Sequence, residues 1–197
     1  MRITGGVLRG RRVLFPGGEI RPAMDRMRES VFAALGDLTG LSFLDLFSGS
    51  GIIALEAASR GADPVEAVEQ DTGKRTALIG NAALAPARIQ CRFMAAELYV
   101  KRAKKRFDLV FCDPPFPYRY KHELVRNIAR SPLMGPASRL LLHRPRNDAE
   151  REGLVDPLPG VLARTESREY GRSIVDFYTF AAGEGRADMT ECPRPAE

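Results

Sequence analysis

The sequence is poor in the residues that build disulfide and metal sites, and it has no long hydrophobic run. Its three cysteines, Cys91, Cys112 and Cys192, are far apart and include no Cys-x-x-Cys pair. Such a set argues against a disulfide framework and against a zinc site, and favours a reducing cytoplasm. No apolar run approaches the ~20 residues of a membrane-spanning helix, and the amino-terminal segment lacks the apolar core of a signal peptide. We therefore expect a cytoplasmic protein with no metal and no membrane partner.

The length and the composition are those of one folded domain. With 197 residues, of which 44% are hydrophobic and 28% charged, the chain can bury a substantial core but is too short for two α/β domains. Residues 182–197 are polar and rich in glycine and proline, which is typical of a disordered tail. We predict one domain over residues 1–181, with a basic amino-terminal extension over residues 1–20.

Positive charge is concentrated near the amino terminus. The net charge is +5, and residues 1–30 contain Arg2, Arg9, Arg11, Arg12, Arg21, Arg26 and Arg28. Such a segment predicts contact with RNA phosphates, which give affinity without reading sequence; the alternative is a solvated edge strand that its charges protect from aggregation. A second basic run, Lys101–Arg106, is better explained by the carboxyl end of a predicted helix, where cations are favourable.

Strand-like and helix-like periodicities alternate along most of the chain. Residues 2–15 predict a short hairpin, and the apolar spacing from residue 22 to residue 36 predicts an amphipathic helix with Arg28 and Glu29 turned outward. Later strands are predicted at 42–47, 64–69, 88–93, 107–112, 138–143, 161–167 and 173–180, and later helices at 52–60, 72–84, 95–105 and 120–129. This βαβ alternation predicts an α/β fold with a mostly parallel sheet, helices on both faces and a final antiparallel strand pair.

A glycine-rich turn follows the first predicted strand of the sheet. The segment 45–51, Asp-Leu-Phe-Ser-Gly-Ser-Gly, opens a helix, and glycine there lets the backbone approach a ligand closely. Glu69 ends the next strand, where a carboxylate can accept hydrogen bonds from ribose hydroxyls. Because Gly49–Ala54 also satisfies the dinucleotide fingerprint, these features alone predict either NAD or S-adenosylmethionine.

The segment Asp113-Pro114-Pro115-Phe116 ends the fourth predicted strand and favours methyl transfer. An exocyclic amine of a base is a poor nucleophile because its lone pair is delocalised into the ring. Hydrogen bonds from that amine to the Asp113 carboxylate and the Pro114 carbonyl would free the lone pair. Phe116 can stack on a base turned out of its helix, and Pro115 stiffens the loop.

Other polar residues are interpreted as structural. Glu56 and Arg60 are predicted to be an exposed helix pair, with Gly61 as the cap of that helix. His122 and His143 have no evident metal-ligand or nucleophile partners, so we predict surface or strand-end positions for both. Cys112, although next to Asp113, is predicted to be a small buried hydrophobic residue.

These motifs together resemble the RsmD-type 16S rRNA guanine-N2 methyltransferases over nearly the whole chain, to about Phe180. The resemblance lies in the runs at 2–6, 9–11, 21–23, 25–29, 45–51, 69–71 and 113–116 and in the late pair Tyr170-Gly171. It implies a Rossmann-like S-adenosylmethionine-dependent methyltransferase fold with a seven-stranded sheet, without a metal. It also implies that a monomer methylates N2 of one guanine in the helix 31 loop of 16S rRNA, within an assembled 30S particle, leaving S-adenosylhomocysteine.

The resemblance also assigns residues to the site. The base would contact Asp113, Pro114, Pro115 and Phe116, and the cofactor would contact Asp45, Phe47, Ser48, Gly49, Ser50, Gly51, Glu69, Gln70, Met94 and Ala95. Two departures bear on this assignment, because the family usually has threonine at Ala23 and often has an acid or amide for the adenine amine where this chain has Met94-Ala95-Ala96.

Three other functions remain open on sequence alone. An adenine or cytosine amino-methyltransferase acting on DNA or RNA would use the same Asp-Pro-Pro-Phe chemistry. An NAD-dependent oxidoreductase would use the glycine turn but leaves Asp113–Phe116 unexplained. A non-catalytic RNA-binding or ribosome-assembly factor would need only the basic segment.

Overall fold

The computed structural model describes residues 1–15, 22–149 and 152–181. The helices are α1 (Pro22–Leu35), α2 (Ile52–Ser59), α3 (Arg75–Ala82), α4 (Ala96–Lys101) and α5 (Lys121–Arg130), with a short 3-10 turn, Thr72–Lys74, before α3. The strands are β1 (Phe43–Leu46), β2 (Val65–Val68), β3 (Ile89–Arg92), β4 (Leu109–Cys112), β5 (Arg139–Pro145), β6 (Leu162–Tyr170) and β7 (Ser173–Phe180). Every strand and helix predicted from residue 22 onward is present, and the differences are one to four residues at an end.

The seven strands form one sheet in the order β3-β2-β1-β4-β5-β7-β6. The first five strands are parallel, and β7 runs antiparallel to both of its neighbours, β5 and β6. The strand order changes direction at β1, so the chain leaves this strand toward β2 and later returns to its other side at β4. In parallel sheets of this kind, ligands bind beside the carboxyl ends of the strands at that point.

Two apolar layers cover the sheet and explain the sequence patterns. Side chains from α1, α2 and α3 pack on one face, and side chains from α4 and α5 pack on the other. The four residues of β1 are all buried, as are those of β2 and β4, because helices cover both faces of a central parallel strand. Helix α2 is also buried along its whole length, since α1 and the amino-terminal segment lie over it.

The amino-terminal segment forms a compact loop and not a ladder of paired strands. A single antiparallel bridge joins Arg2 to Arg12, and the turn between them is held by bonds such as the one from Gly10 N to the Ile3 carbonyl, 2.8 Å. Ile3 is buried in the core, and the amide of Val7 donates to the carbonyl of Ser59 at 2.8 Å. The predicted hairpin is therefore a loop docked on α2. Arg21 and the predicted tail, 182–197, lie outside the described residues.

The basic run begins at the carboxyl end of α4, as predicted, but most of it follows the helix. Lys101 lies in the last turn and Arg102 is the cap residue, whereas Lys104, Lys105 and Arg106 come after the helix end. Lys105 instead reaches β2, where its Nζ lies 2.5 Å from Oε1 of the buried Glu66. The hydrogen bonds of Lys105, Tyr99 and Arg92 hold the pKa of Glu66 below its usual value, although burial acts in the opposite direction. In the described part of the chain no helix is long and apolar enough to cross a membrane.

Candidate active site

A cavity of about 830 Å³ lies at the carboxyl ends of β1, β2, β4 and β5. The segments that follow these strands form its floor and walls, and Met1, Met24 and Met27 close it from the side of the amino-terminal loop and α1. The sequence-predicted residues that line it are Asp45, Phe47, Ser48, Gly49, Ser50, Glu69, Gln70, Asp113, Pro114, Pro115 and Phe116. Residues far apart in the sequence thus meet where the sheet topology places a ligand site.

The turn after β1 requires an unusual backbone. Phe47, Gly49 and Gly51 have φ values of 62°, 57° and 78°, in the left-handed region that glycine adopts without strain and phenylalanine does not. The amide of Ser48 donates to the carbonyl of Val68 at 2.9 Å and ties the turn to β2. Gly51 lies behind the turn, where a Cβ would come within 2.5 Å of Leu78 Cδ1. The glycines therefore let the chain reverse sharply while keeping its backbone at the cavity wall.

Asp45 has a buried carboxyl group in which one oxygen accepts hydrogen bonds and the other has no hydrogen-bond partner. Its Oδ2 accepts hydrogen bonds from the Ser48 hydroxyl at 2.6 Å and from the Ala54 amide at 3.1 Å, whereas Oδ1 is buried without a hydrogen-bond partner in the structure. Burial raises the pKa of Asp45 to about 8, against the lowering effect of the Ser48 bond and with a contribution from the charge of Asp113. An orphaned carboxyl oxygen beside a cavity is a site that a ligand cation would satisfy.

Glu69 joins the glycine turn to the end of β2. Its Oε2 accepts from the Gly49 amide at 2.7 Å and its Oε1 from the Asp71 amide at 2.8 Å, while Lys74 Nζ lies 3.9 Å from Oε2. Each carboxylate oxygen has a further lone pair for an additional donor. The side chain is thus held rigidly at the cavity wall, where its oxygens can accept further hydrogen bonds from hydroxyl groups.

Asp113 leaves β4 with its backbone still bonded to the sheet and its carboxylate beside a histidine. The Asp113 amide donates to the carbonyl of Leu46 at 3.1 Å, and Oδ1 lies 2.7 Å from Nδ1 of His143 on β5. His143 is buried, and its ring meets the ring of Phe116 edge to face, with centroids 5.7 Å apart. The predicted position of His143 at a surface or strand end is wrong, because β5 continues to Pro145 and the ring faces the cavity from within the strand.

A buried lysine holds the loop that contains Phe116. Nζ of Lys121, at the start of α5, donates to the carbonyls of Phe116 and Tyr118 and lies 3.2 Å from Oδ2 of the buried Asp148. The loop is also closed by a bond from the Tyr118 amide to the carbonyl of Pro115, 2.8 Å. Phe116 keeps 39% of its surface exposed. It therefore presents an apolar ring to solvent from a loop that is anchored on its inner side.

The wall formed by α1 depends on a buried carboxylate, Glu56. Glu56 does pair with Arg60, whose Nη2 lies 3.1 Å from Oε1, but the predicted exposure of this pair is wrong, because Glu56 is buried inside α2 and accepts from the amides of Thr4 and Gly5 at 2.9 and 2.8 Å. Arg28 is also buried, with Nε 3.3 Å from Glu56 Oε2 and Nη2 donating to the carbonyl of Arg2 at 2.7 Å. Helix α1 and the amino-terminal loop therefore meet around one carboxylate.

Most of the arginines predicted to contact RNA are exposed, but one of them is buried. Arg2, Arg9, Arg11, Arg12 and Arg26 are exposed, and Arg2, Arg12 and Arg26 line a cleft of about 530 Å³ between the amino-terminal loop and α1. Arg28 was predicted to face outward and contact RNA, which is wrong, since its guanidinium is sequestered by Glu56 and Asp25. Arg2, Arg12 and Arg26 therefore lie next to the cavity, because Met1 and Arg28 line both the cavity and the cleft.

Two residues predicted to bind the cofactor do not line the cavity, and three residues that line it were not predicted. Met94 and Ala95 follow β3 and are half-buried, and neither is among the residues that line the cavity. Tyr170, Arg172 and His143 line it without having been predicted. The sequence holds no local signal for His143, because only the strand order, with β5 next to β4, places residue 143 beside residue 113. In the described ranges no group of three or more His, Cys, Asp and Glu side chains could hold a metal ion.

A family model described as Conserved hypothetical protein 95 matches residues 1–179. The chain belongs to this family. Ribosomal RNA small subunit methyltransferase D of Escherichia coli is 35% identical over 119 residues, 59% of this chain and 60% of the relative. The protein of the same name from Haemophilus influenzae is 30% identical over 147 residues, 69% of this chain and 74% of the relative.

The alignment with the Escherichia coli relative thus spans about 60% of that protein's length. A solved structure of yhhF from Escherichia coli shares the fold over the whole domain, with 26% identity, coverage of 93% of this chain and 99% of that chain, and a TM-score of 0.79. These findings confirm the RsmD-type resemblance and the Rossmann-like methyltransferase fold that the sequence predicted. The family match covers all seven strands except the last residue of β7, since it ends at residue 179.

Proposed function

We propose that this chain transfers a methyl group from S-adenosylmethionine to the N2 amine of a guanine in 16S rRNA, in the helix 31 loop of an assembled 30S particle. The observation that carries the proposal is the position of Asp113-Pro114-Pro115-Phe116 at the same cavity as the glycine turn and Glu69. The names of the curated relatives, which refer to small-subunit rRNA, support RNA as the substrate. The choice of guanine N2 follows from the family resemblance.

The cavity residues suit this cofactor. The orphaned Oδ1 of Asp45 fits a ligand ammonium group, and Glu69 fits a pair of ribose hydroxyls. When bound, S-adenosylmethionine supplies an activated sulfonium methyl group and needs no metal. Gly49 brings the backbone to the cavity without a side chain in the way, and the cavity volume of about 830 Å³ accommodates a nucleoside-sized ligand together with part of a base.

The residues after β4 then act on the base. The Asp113 carboxylate and the Pro114 carbonyl accept hydrogen bonds from the exocyclic amine, which draws the nitrogen lone pair out of the ring. Phe116 stacks on the flipped base, because its ring is exposed while its loop is anchored by Lys121. Positioning of the amine in line with the methyl group supplies much of the remaining acceleration.

The amino-terminal arginines form the proposed RNA-binding surface, which we define as Arg2, Arg9, Arg11, Arg12 and Arg26. All five are exposed, and Arg2, Arg12 and Arg26 adjoin the cavity through the cleft beneath the amino-terminal loop, while Arg9 and Arg11 extend the positive charge along that loop. Phosphate contacts from this surface would hold the RNA without reading its sequence, while the cavity selects the base. The protein is proposed to act as a monomer in the cytoplasm.

The decisive experiment is methylation of 30S subunits purified from cells that lack this protein, followed by nucleoside analysis of the 16S rRNA. We expect N2-methylguanine with the wild-type chain and a loss of at least ~100-fold in rate for Asp113→Asn, as for removal of a catalytic hydrogen-bond partner. N6-methyladenine as the product would support the rival amino-methyltransferase. An unchanged rate in Asp113→Asn would contradict the proposed mechanism.

A matched pair of variants tests the RNA-binding surface. Replacing Arg9, Arg11 and Arg12 by glutamine should weaken RNA binding and reduce the slope of log affinity against log salt by about 1 for each phosphate that the variant no longer binds. The control replaces Lys101, Arg102 and Lys104, which are also exposed but belong to the end of α4 and the segment after it, on the face of the sheet opposite to the amino-terminal loop. Equal losses of affinity in both variants would show that only the net charge matters.

A further inference from the structure

The contact between His143 and Asp113 is the feature of the cavity that the proposed mechanism leaves unused. Nδ1 of His143 lies 2.7 Å from Oδ1 of Asp113, with 4% of the histidine side chain and 24% of the aspartate side chain exposed. Nε2 is buried and has no hydrogen-bond partner in the structure. A histidine held in this way by a single carboxylate is fixed in orientation and sensitive to the charge of that carboxylate.

We propose that His143 is a positioning residue for Asp113, and that protonation of its ring switches off methyl transfer at acidic pH. This inference rests on the proposed function, in which Asp113 accepts a hydrogen bond from the target amine. It goes beyond that function because it assigns a role to His143, a residue of β5 that lies outside the Asp113–Phe116 segment.

The geometry requires a defined tautomer. A neutral imidazole that faces a carboxylate oxygen through Nδ1 must carry its proton there, so Nδ1–H donates to Oδ1. The other carboxylate oxygen, Oδ2, is then the one that remains for the target amine. Asp113 directly follows the last residue of β4, and a hydrogen bond to a rigid neighbouring strand restrains its rotamer. His143 thereby sets the direction in which Asp113 presents its free oxygen.

The same ring contacts the stacking residue. Phe116 and His143 meet at an interplanar angle of 65°, in the edge-to-face arrangement that aromatic pairs favour. His143 therefore contacts both sides of the base site, the hydrogen-bond acceptor Asp113 and the stacking ring of Phe116. The loop of Phe116 is held independently by Lys121.

Electrostatics determine how the pair responds to pH. Burial lowers the pKa of His143, but the charge of Asp113 and its hydrogen bond outweigh this effect, and the pKa lies above the ordinary 6.5. The other titratable and charged groups that face the cavity are the cations Arg28, Lys74 and Arg172, the acids Asp45, Glu69 and Asp71, and Tyr170. In the described part of the chain, Asp113 is the carboxylate that the imidazole contacts directly.

The chemical step explains why a protonated ring would inhibit. The amine nitrogen forms its bond to the methyl carbon, the carbon–sulfur bond breaks with its electron pair on sulfur, and the nitrogen loses a proton to the Asp113 carboxylate. An imidazolium at Oδ1 neutralises that carboxylate and weakens both its hydrogen bond to the amine and its ability to accept the proton. A neutral imidazole leaves the full negative charge in place.

The first test needs no methyl transfer. The chain has two histidines, so His122→Asn leaves His143 as its single imidazole, whose pKa can be measured by NMR titration. We expect a pKa above 6.5, and a fall to 6.5 or below when Asp113→Asn is added, because burial then acts without the opposing charge. A pKa that does not move on adding Asp113→Asn would overturn the proposed coupling.

The second test compares two replacements of His143 in the methylation assay. His143→Asn keeps an N–H donor near the position of Nδ1 but cannot titrate, so its rate at about pH 8 should stay within ~3-fold of wild type while its loss of rate at acidic pH disappears. His143→Ala removes the donor, and its kcat should fall by roughly 10- to 100-fold with little change in KM for the cofactor. An acid limb that is identical in wild type and His143→Asn would refute the switch.

The two tests separate the possible failures. If wild-type protein methylates no small-subunit RNA, the proposed function fails, and the NMR titration still decides whether Asp113 controls His143. If wild-type protein is active and His143→Ala has wild-type kcat and pH dependence, the positioning role is refuted while the proposed function stands. Thermal melting of both variants identifies a loss of rate that comes from unfolding.

Discussion

Binding of the cofactor should release a proton from Asp45 at neutral pH. Burial raises the pKa of Asp45 to about 8, so we expect this carboxyl group to be mostly neutral at pH 7. Its Oδ1 is buried without a hydrogen-bond partner in the structure. A ligand ammonium group placed beside that oxygen favours the carboxylate and drives the proton off.

The expected stoichiometry follows from the titration curve. With a pKa of about 8 before binding and a much lower one after it, we expect most of one proton to leave at pH 7 and only a small fraction at pH 9. Isothermal titration with S-adenosylhomocysteine in two buffers of different ionisation enthalpy measures this number from the slope of the observed enthalpy. Asp45→Asn is the control, because an amide has no proton to release, and its affinity should also fall.

The same group gives an independent signature in stability. Because the folded-state pKa of Asp45 is raised above its ordinary 3.8, its contribution to stability is fully present below that value and is lost as pH rises through about 8. Denaturation by urea across this range should show a slope with pH that Asp45→Asn lacks. Proton release near zero for wild type at pH 7 would refute the reasoning, since Asp45 would then be ionised before the ligand binds.

Three further predictions concern the supports of the cavity. Glu56→Gln should lower the free energy of unfolding by about 3–5 kcal/mol, as for breaking a buried ion pair, whereas the exposed Glu29→Gln should change it by less than about 0.5 kcal/mol in the same urea titration. Gly6→Ala should destabilise more than Gly10→Ala in thermal melts, since both have positive φ but only at Gly6 would a Cβ collide with the backbone of Ser59. Equal losses of stability would mean that φ strain alone matters. Lys121→Met should lower the rate of base methylation with little change in binding of S-adenosylhomocysteine, measured by calorimetry, because it frees the loop after β4 and leaves the cofactor side intact; weakened cofactor binding would contradict this.

Local patterns in the sequence were sufficient for the elements and for the chemical motifs. The turn at Asp45–Gly51 and the segment Asp113–Phe116 each lie within a few consecutive residues, and both border the cavity. Strand and helix types followed from periodicity, because a buried parallel strand and an amphipathic helix have different spacings of apolar residues. The ends of helices were less predictable, as α4 shows, since it ends at Lys101 and not at the predicted residue 105, and Lys105 instead contacts Glu66 of β2.

Errors arose where the environment of a residue depends on a distant segment. Glu56 and Arg60 have the spacing of an exposed pair, but α2 is buried beneath α1 and the amino-terminal loop, and Glu56 accepts from amides 51 and 52 residues away. One signal was available, because Ile52–Ser59 is apolar on nearly all sides, and a helix of that kind is buried. Arg28 was misjudged for the same reason, as its partner lies on another helix.

By itself, the sequence determined the fold class, the glycine turn, the acid after β2 and the Asp-Pro-Pro-Phe segment, since each depends on neighbouring residues and on a periodicity that a single strand or helix expresses. Only the tertiary structure decided that His143 contacts Asp113, that Glu56 and Arg28 are buried together, and that Lys121 holds the loop of Phe116. Those contacts join residues from separate elements, and their geometry arises from the order of strands in the sheet and from the packing of helices upon it.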